Sequence, residues 1–294
     1  QSACMNGLTS ESIEVQVSAT TGLPQEVIIG LPDTIVKEAK SRIKSALNLS
    51  GFELPAMSYT INLAPIDIQK KSGSLELAMA ACLLCVAFNY KFNSHFCIIG
   101  SLSLDGKIKP IRDILPMIHY FSNKNTTFVI SKENVPDIQL LTGTSYIEVS
   151  HLKQLPKLNT LPTKVISNNQ AIINQTPHKC ALSFDSIQGH ELAKQACAIS
   201  LAGNHHMLLV GPPGIGKTML IERLPSIAPP LTHHQMIDNL CIQSLLGQPL
   251  NQSLAAPFCS PHHTISYAGM IGGNNPPKPG EITRANYGIL FLDE

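Results

Sequence analysis

Met207-Leu-Leu-Val-Gly-Pro-Pro-Gly-Ile-Gly-Lys-Thr218 is the stretch from which the rest of the chain can be read. The four apolar residues 207–210 predict a short buried strand, and residues 217–224 predict a helix. Between them, Gly211, Gly216, Lys217 and Thr218 satisfy G-x-x-x-x-G-K-[ST], the spacing of a phosphate-binding loop. Glycines let backbone N–H groups turn inward as an anion nest, and the following helix N-terminus adds partial positive charge. Gly211, Pro212, Pro213, Gly214, Ile215, Gly216, Lys217, Thr218 and Met219 are the expected phosphate-binding residues. In that arrangement Lys217 reaches the β- and γ-phosphates, and the Thr218 hydroxyl ligates Mg²⁺. A chance Gly/Pro turn would not come with both strand and helix in place.

The partner motif is Ile289-Leu-Phe-Leu-Asp-Glu294, an apolar strand ending in two acids, as in a Walker B motif. Asp293 is expected to hold the Mg²⁺ and Glu294 to polarise the attacking water, so Glu294 and Lys217 are the candidate catalytic residues. Together the two motifs imply ATP with Mg²⁺.

At 294 residues, two domains of ordinary size fit. A hydrophobic fraction of 44% and a charged fraction of 14% suit packed cores and exclude a disordered chain. Net charge is +1, so any DNA contact must come from a local patch or an assembled ring. With no long apolar run and no signal peptide, a soluble cytoplasmic protein without a membrane segment is expected. The eight cysteines are then expected as reduced thiols. Cys82 and Cys85 form a C-x-x-C inside the apolar run 78–88, where core packing outweighs redox or zinc chemistry. The doublets His205-His206, His233-His234 and His262-His263 resemble ligands only superficially, because adjacent side chains diverge. The chain starts at Gln1 and stops on Glu294, so it reads as part of a longer protein, with more sheet and a helical lid expected beyond.

Residues 12–20 and 25–31 read as strands joined by a Thr-Gly-Leu-Pro turn. Pro32-Asp33 opens a helix with Asp33 as N-cap. Its apolar face is Ile35, Val36, Ala39, Ile43, Ala46 and Leu47, and Gly51 lies just past its end. Lys37, Lys40 and Lys44 line another face, by default a solvated one and alternatively a nucleic-acid stripe. Strands follow at 59–63 and 97–104, on either side of a buried helix at 75–88. Asp105-Gly106 then turns the chain into 107–111. A helix over 113–121, which Pro116 can break, precedes a strand at 127–130, a short helix or loop at 134–141, and a strand at 146–149. One helical turn at 151–155 closes an N-terminal domain of residues 1–155. Residues 156–181 are rich in Pro, Asn, Gln and Thr and read as a linker. The second domain, 182–294, opens with Phe184-Asp-Ser-Ile-Gln-Gly-His190 and a helix at 191–201. That helix is expected to place Leu192, Ala193, Ala196, Ile199 and Ser200 on one side.

Laid out in this way, the chain resembles the ComM/YifB-type magnesium-chelatase-like AAA+ ATPases nearly end to end. The resemblance is carried by Ile29-Gly-Leu-Pro-Asp-Thr-Ile-Val-Lys-Glu38, Ile61-Asn-Leu-Ala-Pro65 and the phosphate loop with its helix. Pro261-His-His-Thr-Ile-Ser266 and Pro279-Gly-Glu-Ile282, ahead of the Walker B strand, add to it. It implies an α/β fold, with an N-terminal domain of the Lon-protease C-terminal type (ribosomal S5 domain 2-like) before an AAA+ core. It further implies a hexameric ring of identical copies and ATP-driven branch migration of DNA, single-stranded or branched, during transformation. Backbone around Ile187 and Gly189 is expected to cradle the adenine, and residues 255–283 to form an insert carrying Pro261, His262, His263 and Thr264. Two departures stand out. Ala256 and Cys259 occupy positions where relatives carry arginine, and the sensor, arginine-finger and lid segments are not in the sequence. Proteolysis is the competing activity for a Lon-like domain. Ser74 falls near that family's nucleophile, but Leu115-Pro116 stands where its lysine is expected, so no protease is predicted. A non-catalytic nucleotide-binding remnant and a magnesium-chelatase motor subunit are the remaining alternatives.

Overall fold

The computed structural model describes residues 1–30, 33–68, 70, 73–121, 125–167, 182–273 and 277–293, apart from the side chains of Ile35 and Lys37. Pro32 and Glu294, named above, lie outside the described residues. The chain divides into two compact units, Gln1–Asn169 and Gln170–Glu294.

In the first unit, β1 (Ser2–Asn6) and β2 (Thr9–Thr20) form an antiparallel hairpin closed at Asn6 and Thr9. Gly7, at φ +63°, supplies the left-handed residue that a tight hairpin loop needs. β3 (Gln25–Ile29) does not pair back onto β2. It runs parallel to β4 (Ser58–Ala64), giving the order β1-β2-β4-β3. The turn after β2 therefore starts a crossover, which α1 (Thr34–Leu49) completes. Asp33 caps α1 by accepting a hydrogen bond from the Val36 amide at 3.0 Å. Val36, Ala39, Ile43, Ala46 and Leu47 are buried along one helical stripe. Two of the three lysines serve the fold. Lys40 donates to the Glu26 carbonyl at 2.5 Å, and Lys44 lies 3.9 Å from the Glu26 carboxylate, which ties α1 to β3.

α2 (Glu76–Phe88) is apolar almost all round and lies in the middle of the core. Cys82 within it donates to the Val15 carbonyl, and burial raises the pKa of both Cys82 and Cys85, consistent with core packing. The strand expected over 97–104 is interrupted. β5 (Phe96–Ile98) ends, the chain turns at Gly100 to meet the start of α2, and β6 (Ser101–Leu102) then pairs with β7 (Ile108–Lys109). The reason is local: Gly100 accepts from the Leu77 amide and donates to the Ser74 carbonyl, so its backbone serves the helix. α3 (Ile114–His119) is not broken by Pro116, which sits in the first turn, where no backbone donor is required. β8 (Thr127–Ser131), α4 (Val135–Ile138) and β9 (Ser145–Val149) follow. β5, β8 and β9 are parallel, and β10 (Lys164–Val165) adds antiparallel to β9. A 3₁₀ helix, Leu152–Thr160, buries Leu155 and Leu158. Residues 156–167, read above as the start of a linker, thus pack on the first unit. The remainder of that segment, 168–181, lies outside the described residues.

The second unit contains α5 (Glu191–Gly203), α6 (Lys217–Ile221), α7 (His233–Leu245), α8 (Tyr267–Ile271) and α9 (Glu281–Arg284). Its strands are short. β11 (Phe258–Cys259) is parallel to β14 (Ile289–Leu290), and β12 (Gly272–Gly273) pairs with β13 (Lys278–Pro279). Two expectations need correction. Residues 207–210 are not a buried strand. Met207 and Leu209 pack on the core, while Leu208 is 85% and Val210 87% exposed. The alternation is that of a strand, but among the described residues only one of its faces is covered. The core side of α5 is Ala193, Cys197 and Leu201, at four-residue spacing, with Leu192 (83%) and Ile199 (66%) exposed. α7 was not anticipated. Its signal is Thr232-His-His-Gln235, a capping box in which each end bonds the other's backbone.

Candidate nucleotide site

The loop owes its shape to glycine. Gly214 (φ +81°) and Gly216 (φ +93°) adopt left-handed backbone that other residues resist. A Cβ at Gly214 would meet nothing within 4 Å, so the backbone there is open to an approaching group. Gly216 is the N-cap of α6, which therefore starts at Lys217, where the motif places it. The Lys217 ammonium folds back, donating to the carbonyls of Gly211 at 2.8 Å and Pro212 at 3.1 Å. The side chains of Pro212, Pro213, Ile215, Thr218 and Met219 lie around the loop. Thr218 and Met219 are exposed, and the Thr218 carbonyl already serves the helix through the Glu222 amide.

Arg223 ties the far end of α6 to the segment that leads into α5. Its Nε donates to Ser186 at 3.2 Å, and Ser226 accepts from the Phe184 amide at 3.0 Å. Ile187 is buried in one cluster with Leu220 and Ile221 of α6, so its side chain is a core element and only its backbone can face a base. Gly189 (φ +71°) and His190 (φ +58°) then turn the chain into α5, with open space beside Gly189.

The bonds that hold β14 include Ile289 N–H to the Pro257 carbonyl and Phe291 N–H to the Cys259 carbonyl, both 2.8 Å. Phe291 stacks on Phe258 at 6.4 Å. Ile289 and Phe291 enter the same core cluster as Met207 and Leu209, so the segments that carry the two motifs share one core. Asp293 is exposed beyond the end of β14, and Glu294 lies outside the described residues. In the insert, His262 Nδ1 accepts from the Thr264 amide at 3.3 Å and lies 2.8 Å from its hydroxyl, and His263 stacks on His262. Sequence reasoning passed over Asp238 and Tyr287, which bond each other at 3.1 Å. Their only signals were an acid inside an apolar helix and a Tyr-Gly turn before the Walker B strand.

Ser74, in the first unit, is fully buried, and its hydroxyl donates to the Ala3 carbonyl at 2.9 Å. Leu115 and Pro116 are buried in α3. A hydroxyl so enclosed offers no approach to a substrate carbonyl.

The loop, its helix and the strand before Asp293 define a phosphate-loop-like α/β unit. Models of magnesium chelatase subunit ChlI match residues 183–294 and, separately, residues 13–134. The chain is 33% identical over 292 residues to the uncharacterised protein YifB of Salmonella typhimurium, covering 98% of this chain and 57% of that protein. It is also 33% identical over 296 residues to the competence protein ComM of Haemophilus influenzae, covering 98% and 58%. The chain belongs to the magnesium-chelatase-like family of the ComM and YifB type. It spans little more than half the length of these relatives. Among the described residues, no helix is long and apolar enough to cross a membrane.

Proposed function

We propose that this chain is the nucleotide-binding part of an ATP-driven AAA+ motor that acts on DNA. In this reading an N-terminal Lon-protease-C-like domain, spanning about residues 1–155, precedes the core, and the core works in the cytoplasm as a ring of identical copies. The observation that carries the nucleotide assignment is the loop itself: open left-handed glycines, a helix beginning at Lys217, and a lysine resting on loop carbonyls from which it can move to a phosphate. Lys217 would bind the β- and γ-phosphates, and Thr218 and Asp293 would hold Mg²⁺. Backbone near Ile187 and Gly189 would border the base, and Glu294 would orient the attacking water. The bound Mg²⁺ supplies charge neutralisation at the phosphates. The DNA assignment rests on the likeness to ComM, a competence protein, and on the family resemblance.

Titration of a fluorescent ATP analogue with Mg²⁺ tests the first part, and equal affinity for wild type and Lys217→Ala would overturn it. Fluorescence anisotropy of labelled single-stranded and branched DNA, with and without nucleotide, tests the second. Nucleotide-dependent DNA binding is expected, and its absence would remove DNA from the reading.

A further inference from the structure

Tyr287 is, among the described residues, one of four non-glycine residues with left-handed backbone, at φ +58°. Such a conformation is unfavourable for an L-residue and persists where surrounding contacts impose it. Here the contacts are identifiable. The Tyr287 hydroxyl donates to Asp238 Oδ2 at 3.1 Å, and Asp238 is a buried acid on α7. His234 Nδ1 lies 3.2 Å from the same oxygen. On either side of Tyr287 the turn is pinned by its own backbone, Asn286 N–H to Thr283 and Gly288 N–H to Ala285. Gly288 is pressed against the Pro257 carbonyl, where a Cβ would fall 2.1 Å from that oxygen.

This turn is the joint between α9 and β14. The ladder that holds β14 is short, Phe258 opposite Ile289 and Cys259 opposite Leu290. A two-residue ladder controls strand direction weakly, so the angle at which the chain enters it matters. Asp293 lies six positions beyond Tyr287 on the same run, and a metal ligand must be placed to a fraction of an ångström.

We propose that Asp238 and Tyr287 form a latch that aims the strand carrying Asp293, which makes Tyr287 a positioning residue for the nucleotide-bound divalent cation. The inference rests on the nucleotide–Mg²⁺ reading above. Tyr287→Phe isolates the hydroxyl, because the ring is kept and the bond to Asp238 is lost.

The test follows binding of a fluorescent ATP analogue as Mg²⁺ is titrated, with affinity in EDTA and Tm measured alongside. Tyr287→Phe should raise the Mg²⁺ concentration at half-effect by about three- to tenfold, the weight of one ordinary hydrogen bond at a site that water can reach. Affinity in EDTA and Tm should stay close to wild type, which a merely structural role would not predict. Asp238→Asn keeps an acceptor oxygen and should retain most of the response, whereas Asp238→Ala should lose it as Tyr287→Phe does. An unchanged Mg²⁺ half-point in Tyr287→Phe, with wild type responding to Mg²⁺, overturns the latch alone. Should Tyr287→Phe fail to fold, Asp238→Ala decides, an unchanged half-point again overturning the proposal. A wild type that binds no nucleotide takes down both readings.

Discussion

The ammonium of Lys217 lies 2.8 Å from the carbonyl oxygen of Gly211, so the residue that should meet a phosphate is held by the mouth of its own loop. Binding of a triphosphate would exchange two neutral carbonyl partners for charged oxygens, which make the stronger bonds. Lys217→Ala should therefore weaken binding of an ATP analogue by about 1.5–3 kcal/mol, roughly ten- to a hundredfold. Fold stability should change little, because among the described residues the ammonium bonds only carbonyls of its own loop. Equilibrium titration with a Tm control measures both.

A second pair supports the first unit. Arg42 of α1 reaches Glu76 with Nη2 at 2.5 Å and Nε at 3.1 Å, and Ser101 and the Leu102 amide also donate to the carboxylate. Glu76 is buried while Arg42 is partly exposed, so the two ends are unequal. Glu76→Ala strands the Leu102 amide inside the protein and should cost about 3 kcal/mol or more. Arg42→Ala should cost less, because water can reach its site. Urea unfolding of the two variants gives the order.

Ser74 provides a test of the expectation that the first unit has no protease activity. Its enclosed hydroxyl donates to the Ala3 carbonyl, and the family resemblance puts Leu115-Pro116 where a lysine base is expected. Neither wild type nor Ser74→Ala should cleave an unfolded protein substrate on a gel. The variant loses the buried hydrogen bond to Ala3, worth about 0.5–1.5 kcal/mol. Cleavage by wild type that disappears in Ser74→Ala would reverse this conclusion.

The core cysteines give a pH dependence. Burial pushes the Cys82 thiol up to about 11 and the Cys97 thiol to about 12, because it penalises the thiolate. A pKa raised on folding contributes stability below the ordinary thiol value of 9.0, lost as pH climbs through the folded values. Urea midpoints should accordingly fall from pH 9 upward. At pH 8 iodoacetamide should leave Cys82 and Cys97 unmodified in the native protein and alkylate them in urea, as read by peptide mass spectrometry.

Much of the candidate site was legible because its determinants are contiguous. The spacing of Gly211, Gly216, Lys217 and Thr218 encodes loop geometry within eight residues, and left-handed φ values at Gly214 and Gly216 follow from the lack of a Cβ. Helical stripes such as Val36, Ala39, Ile43 and Ala46 were legible for the same reason, since periodicity reports a buried face directly. β1 was missed although Asn6-Gly7 is a hairpin signal, and α7 although Thr232 and Gln235 form a capping box.

What tertiary structure alone decided concerns partners distant in sequence. No local pattern states that β3 joins β4 rather than β2, because the pairing depends on where α1 packs. None states that the apolar run 207–210 is covered on one face, since a strand's burial is set by layers contributed from elsewhere. Asp238 and Tyr287 are separated by 49 residues and meet only once α7 and the turn before β14 are in place. Short-range steric and hydrogen-bond preferences were written in the sequence, whereas contacts that need the chain to close on itself appeared only with the fold.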